Sequence, residues 1–309
     1  MAGLEPTPFI WFDGELVPWN EAKIHVLTHG LHYGTGYFEG IRAYKCANGQ
    51  SAVFRLRDHM QRMVNSAKIL NLPCPYSIDQ LCQATLDLLV ANKMSTAYIR
   101  PISFVGYGAL GVHPGTNPIN TVIAAWNWGA YLGAEALEMG VRVKTSSYNR
   151  MHPNTHMGKA KACGNYVNSV LAKMEAVHDG YDEALLLDTN GFVSEASGEN
   201  IFIVRGKTIK TTALTSILEG INRASVITLA KDLGYEVIET QFTRDEVYCA
   251  DEMFFSGTAA EVTPVRELDN RIIGKGRAGE VTKHLQKEFF EIVQGNNPKY
   301  QDWLTPYNF

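Results

Sequence analysis

No stretch of this 309-residue chain approaches the ~20 consecutive apolar residues that a membrane-spanning helix needs, so no such span is expected. Cysteine is scarce. The five present (Cys46, Cys74, Cys82, Cys163, Cys249) are odd in number and scattered, and no C-x-x-C pair occurs. That speaks against zinc and thioredoxin-like centres and for reduced thiols in a cytoplasm. Excess positive charge is missing too: 28 Lys and Arg face 32 Asp and Glu, a net charge of −4, and no basic run offers the footprint of a nucleic-acid binder. The opening MAGLEPTPFIWF lacks the basic region and apolar core of a secretion signal. Internal repeats, low-complexity tracts and heptad runs are absent. His25, His29 and His32 cluster, but no H-E-x-x-H occurs. Gly30, Gly34 and Gly36 oppose the helix that would put two histidines on one face, so loop histidines are expected rather than a metal site.

What is present is an ordinary globular composition, 45% apolar and 19% charged, with apolar mass for a large core or two domains. The first half reads as mixed α+β. Phe9–Phe12 and Glu15–Trp19 flank Asp13-Gly14, a two-residue hairpin signal. Apolar positions at Met60, Met63, Val64, Ala67 and Leu70 give Arg57–Leu70 one helical stripe. Ser77, with Gln80 three residues on, caps a helix over Ile78–Ala91. Ala97–Val105 and Thr121–Trp128 read as strands. The pattern breaks at Gly129–Ala134, where the domain join is placed: residues 1–130 as a smaller α+β domain, 131–136 as an interdomain loop, 137–309 as a larger domain. Beyond it, strands are expected at 141–145, 183–187, 200–204, 208–211, 235–239 and 252–256. Helices are expected at 165–178, about 221–233, 244–249 and about 278–293.

The stretch Asn154–Tyr166, N-T-H-M-G-K-A-K-A-C-G-N-Y, sets Lys159 and Lys161 two residues apart among small residues. Small residues let a flat partner approach the backbone, and a partly desolvated ammonium loses its proton more easily. A lysine amine can then form a Schiff base with an aldehyde cofactor or a carbonyl substrate. S-E-A-S-G-E-N at 194–200 carries Glu195, a candidate anion for a pyridine-ring nitrogen, and S-G-T-A-A-E follows at 256–261. Glycine turns that open helices, such as Glu219-Gly220-Ile221, offer backbone N–H groups to a phosphate, and Ser256-Gly257-Thr258 is a second candidate. Taken singly, a loop lysine is a solvated charge, Glu195 a surface carboxylate and S-G-T a turn.

In combination these motifs resemble the fold-type IV pyridoxal phosphate enzymes, specifically the bacterial branched-chain amino acid aminotransferases. The matching stretches include I-W-F-D-G-E-L-V-P-W near the start, L-H-Y-G-T-G-Y-F-E-G-I-R-A-Y at 31–44 and V-F-R-L-R-D-H-M-Q-R at 53–62. They continue with Y-I-R-P at 98–101, W-N-W-G-A-Y-L-G at 126–133, K-A-C-G-N-Y at 161–166, S-E-A-S-G-E-N-I-F at 194–202, L-E-G-I-N-R at 218–223 and S-G-T-A-A-E-V-T-P-V at 256–265. The resemblance implies an α+β fold of two domains with the active site between them, and pyridoxal 5'-phosphate as cofactor. It implies reversible, ping-pong amino transfer from leucine, isoleucine or valine to 2-oxoglutarate through pyridoxamine phosphate.

Carried over by position, Lys161 rather than Lys159 forms the internal aldimine and shuttles the proton. Tyr166 bonds the cofactor phenolate, and Glu195 pairs with the pyridinium nitrogen. Arg62 binds the phosphate with Leu218, Ile221, Asn222, Gly257 and Thr258. The substrate meets Tyr33, Phe38, Gly40, Val112, Trp128 and Tyr131. Tyr98, Arg100 and the backbone of Thr258, Ala259 and Ala260 receive its carboxylates. The loop at Val112 is expected to reach a neighbouring subunit, making a homodimer the minimal unit and a hexamer, a trimer of dimers, the expected assembly. Departures stand at Asn222 (usually threonine), Glu219 (usually proline) and Cys163 (commonly glycine), the last expected to be an inert buried thiol. D-amino acid aminotransferase and aminodeoxychorismate lyase share the fold and cofactor. Y-I-R-P and F-E-G-I-R favour the branched-chain enzyme over both. A non-catalytic relative would be expected to lose Lys161 or Glu195, and both are present.

Overall fold

The structure, a computed structural model, describes residues 4–129 and 133–309. It divides into two compact units, one running to Trp128 and adding Ala160–Asn165 and Ile292–Phe309, the other holding Gly129–Lys159 and Tyr166–Glu291.

In the first unit β1 (Phe9–Phe12) and β2 (Glu15–Pro18) form the expected hairpin. Asp13 and Gly14 both take positive φ there (48° and 104°), the geometry that a two-residue turn matching strand twist demands. The Asp13 carboxylate accepts the Thr121 N–H (2.6 Å) and so ties the turn to the sheet. Then come α1 (His29–Tyr33), β3 (Gly36–Phe38), β4 (Ile41–Lys45), β5 (Ser51–Phe54), α2 (Leu56–Ile69), α3 (Ile78–Ala91), β6 (Ala97–Val105) and β7 (Ile119–Trp126). The sheet is antiparallel in the order β5-β4-β6-β7-β1-β2, with β3 also on β6. Met60, Met63, Leu81 and Leu88 from α2 and α3 are fully buried against Ile41, Val53, Ile99 and Ile123. Each such side chain contributes roughly 1.5–3 kcal/mol by leaving water. Ser77 Oγ accepts from Gln80 N–H and Gln80 Oε1 accepts from Ser77 N–H, the capping box expected from the sequence.

The second unit holds α4 (Ala134–Met139), β8 (Val141–Thr145), α5 (Tyr166–His178), β9 (Glu183–Leu187), β10 (Val193–Ala196), β11 (Asn200–Arg205) and β12 (Thr208–Thr211). It continues with α6 (Ile221–Asp232), β13 (Glu236–Glu239), α7 (Arg244–Tyr248), β14 (Glu252–Gly257), β15 (Glu261–Leu268), β16 (Arg271–Ile272) and α8 (Glu280–Val293). Its mixed sheet runs β10-β9-β8-β15-β14-β11-β12-β13, with β16 on β15. The pairs β8–β9, β8–β15 and β12–β13 are parallel. Phe202 and Phe254 stack at 4.8 Å in its interior. The chain then returns to the first unit, where β17 (Leu304–Tyr307) pairs with β5.

Several features differ from the sequence reading. The split at 131–136 places residues 160–165 and 292–309 in the later domain. In the structure both belong to the first unit, because β17 completes its sheet and Ala162 bridges Tyr37. Ala134–Met139 is helix, not interdomain loop. Trp19 leaves β2 for a 3-10 turn (Trp19–Glu21). A short helix does form at His29–Tyr33, closed by Gly34 at φ 65°.

Candidate active site

In the first unit the segment Ala160–Asn165 lies along β3. Phe38 N–H donates to Lys161 O (3.0 Å), Cys163 N–H to Gly36 O (2.9 Å) and Gly164 N–H to Gly34 O (3.1 Å). Gly34 must be glycine: its φ is positive, and a Cβ would sit 2.9 Å from Gly164 Cα. Lys161 N–H donates to Ser66 Oγ (3.0 Å), whose own hydrogen goes to Arg62 O (2.9 Å). The Lys161 backbone is thus held from β3 and from α2. Its ammonium lies 5.1 Å from the centre of the Phe38 ring.

Arg62 is positioned by a residue that sequence reasoning missed. Glu39, fully buried, accepts Arg62 Nε (2.7 Å) and Nη2 (2.8 Å), and its Oε2 lies 2.7 Å from His59 Nδ1. Burial would raise this carboxyl, but the Arg62 guanidinium and the hydrogen bonds from Arg62 and His59 outweigh it and hold Glu39 well below the usual range. The signal was available: Glu39 lies in F-E-G-I-R, and His59 stands three residues before Arg62, on one helix face.

Phe38, Gly40, Tyr98, Arg100 and Trp128 come together in the same unit. Arg100 lies over the Phe38 ring (4.8 Å) and donates to Tyr98 Oη (3.3 Å). Tyr98 meets Trp128 edge-on (4.6 Å), with Trp126 added at 5.2 Å. A Cβ on Gly40 would stand 2.1 Å from Tyr98 Oη, so glycine is what lets the tyrosine close in. Tyr33 and Val112 belong to a different, exposed patch. Tyr33 lies tilted against His29 (ring centres 4.6 Å apart), and Val112, 84% exposed, adjoins Gly111, whose carbonyl lies 2.7 Å from His29 Nε2. His25 and His32 likewise bond loop backbone, at Leu27 N and Val26 O. Tyr131 lies outside the described residues. Burial pushes the Cys163 thiol up to about 11 against the opposing charge of Arg100.

In the second unit Glu195, on β10, is buried. Arg150 grips it through Nε (2.8 Å) and Nη2 (2.8 Å), while Oε2 accepts Leu218 N–H (3.1 Å) and Asn200 Nδ2 (3.3 Å). Arg150 and Asn200 were not anticipated. Arg150 is itself held by Asn168 and Ser169 on α5, the helix that Tyr166 begins (3.0 Å each). Ile221 and Asn222 open α6 behind Gly220, which caps it without a side chain. The first N–H groups of a helix have no intrahelical acceptor and face anions favourably. Asn222 does not turn its amide donor outward. Nδ2 bonds Gly257 O (3.0 Å) and draws the S-G-T loop to the helix start, while Oδ1 is buried without a partner among the described residues. Thr258 and Ala259 are half-buried, and Ala260 is buried with its carbonyl bonded by Thr263 (2.6 Å). Glu219 pairs with Lys159 (2.9 Å), both about half exposed.

An arginine and an amine held by its backbone in the first unit, and a buried carboxylate and helix-start N–H groups in the second, are the kinds of donor that pyridoxal phosphate requires, and the residues present fit such a group. The sequence pattern described as amino-transferase class IV matches residues 36–268. A branched-chain-amino-acid aminotransferase of Pseudomonas aeruginosa is 50% identical over 96% of both chains. The solved branched-chain amino acid aminotransferase of Escherichia coli superimposes with a TM-score of 0.94 at 49% identity, covering 96% of this chain and 98% of that one. That of Thermobaculum terrenum, solved in its PLP-bound holo form, does so with a TM-score of 0.92 at 36% identity, covering 99% of this chain and 100% of that one. The chain belongs to the branched-chain-amino-acid aminotransferases of the class IV family.

Proposed function

We propose that this enzyme moves the amino group of L-leucine, L-isoleucine or L-valine to 2-oxoglutarate, with pyridoxal 5'-phosphate held by Lys161. The observation that carries the reading is Lys161 itself, pinned through Phe38 and Ser66 beside Arg62, in a chain of this family.

Bound, the cofactor supplies a protonated ring that takes up the electron pair released at the substrate Cα. Lys161 Nζ would hold it and would be the base that carries the proton of the substrate Cα. Glu195, oriented by Arg150 and Asn200, keeps the proton on the ring nitrogen. Tyr166 donates to the phenolate oxygen. Arg62, the α6 N–H groups of Ile221 and Asn222, Leu218, Gly257 and Thr258 serve the phosphate side. Asn222 acts through its backbone, because its amide is engaged with Gly257.

Phe38 and Trp128 supply the apolar wall, with Gly40 leaving room for Tyr98. Tyr98, Arg100 and the backbone of Thr258, Ala259 and Ala260 receive carboxylates, and Arg100 meets the extra charge of glutamate. The exposure of Tyr33 and Val112 supports their serving a neighbouring subunit in a homodimer, itself a unit of a hexamer. Among the described residues no helix is long and apolar enough to cross a membrane, and all five thiols are free, which supports a cytoplasmic enzyme.

A spectrum of the pure protein tests the reading. L-leucine should remove the visible band of the lysine-held cofactor, and 2-oxoglutarate should restore it. Response to D-alanine with none to L-leucine would overturn the assignment.

A further inference from the structure

We propose that His59 is a second donor of the anion site that Arg62 serves: Glu39 holds the ring through Nδ1, and Nε2 donates to the phosphate of the cofactor, so that binding takes up one proton. The inference rests on the reading of Arg62 as a phosphate anchor.

His59 and Arg62 lie three residues apart on α2 and converge on one fully buried carboxylate. Glu39 is an acceptor in its ionised form, so the His59 nitrogen facing it carries the hydrogen. In the neutral ring the other nitrogen, Nε2, then has only a lone pair. It is buried and has no hydrogen-bond partner among the described residues. A buried polar atom left unpaired costs about 1–3 kcal/mol, and such atoms in native folds call for a partner.

Charge points to the partner. Glu39 already matches Arg62, so the pair brings no net charge to a phosphate monoester, which carries roughly −1.5 to −2 at neutral pH. A further positive group is needed. Three charged groups face the ring: Glu39 from the turn after β3, Arg62 from α2 itself, and Lys161 from the segment along β3. Burial above all, then the charges of Arg62 and Lys161, favour the neutral ring, and Glu39 alone favours the imidazolium. An arriving dianion reverses that balance. The ring takes a proton from solvent at Nε2 and becomes an imidazolium that donates to Glu39 on one side and to a phosphate oxygen on the other.

Pyridoxine 5'-phosphate, which has the phosphate but no aldehyde, isolates this step. Its binding to cofactor-free protein is measured calorimetrically at about pH 8 in two buffers of different ionisation heat, where a free histidine is neutral. Wild type should take up close to one proton. His59→Gln should take up about one proton fewer and bind about ten-fold more weakly. Nitrogen NMR of the wild-type ring should change from the neutral to the imidazolium pattern on binding, a readout that a purely structural histidine would not give. If His59→Gln matches wild type in proton uptake and affinity while Arg62→Ala loses binding, the role of His59 is overturned and the Arg62 reading stands. If Arg62→Ala binds as wild type does, the anchor reading fails and takes this proposal with it.

Discussion

Lys161 owes its place to its neighbours' backbones. Two main-chain bonds, to Phe38 and Ser66, fix where its Cα stands, so its side chain can be removed without disturbing the segment. Lys161→Ala is therefore expected to fold, to lose the visible band of bound cofactor and to turn over at least about 10²–10⁴-fold more slowly. Wild-type turnover in that variant would remove Lys161 from its role. Cys163, two residues on, has a thiol raised to about 11 by burial, so little thiolate exists at neutral pH. Mass spectrometry after brief alkylation should find Cys163 unmodified and exposed Cys249 modified. At this scale the motifs themselves were legible. Arg150, the buried partner of Glu195, was not, because an ion pair across 45 positions leaves no local trace in sequence.

Elements with a local cause could be read from sequence. The Asp13-Gly14 hairpin, α2, α3 with its capping box and β6 each carry their own signal: a turn dipeptide, an apolar stripe, a cap or a β-branched and aromatic run. Ser77→Ala should cost about 1 kcal/mol in a denaturant titration, since both bonds of the box are lost. A change within error would mean that packing of Leu81 and Leu88 alone sets that helix start. Strands β5 and β10 escaped notice for a physical reason. All four residues of each are buried, so no alternation between wet and dry faces marks them. The 134–139 helix was hidden by the glycines around it.

Across the whole molecule, buried charge links stability to pH. Burial, and Glu183 nearby, push the Glu199 carboxyl up to about 8, against roughly 4.3 in an unfolded chain. The folded protein therefore keeps a proton that the unfolded chain releases. The stability this provides is fully present below the unfolded value and is lost as pH rises through the folded one. Glu199→Gln keeps the protonated shape without that loss. It should melt a few degrees above wild type at pH 8 and converge with it near pH 4–5. The same melting difference at both pH values would show that Glu199 does not titrate in this way.

Sequence alone determined the chemistry on offer: an amine among small residues, a carboxylate and glycine turns for a phosphate, in the order of one enzyme family. Motif order survives in one dimension because each motif is a local solution to a local task. Tertiary structure alone decided which side chains aim the others, and that residues 160–165 and 292–309 belong with the first unit. Those outcomes depend on main-chain bonds and buried ion pairs between distant positions, which exist only once the sheets have brought them together.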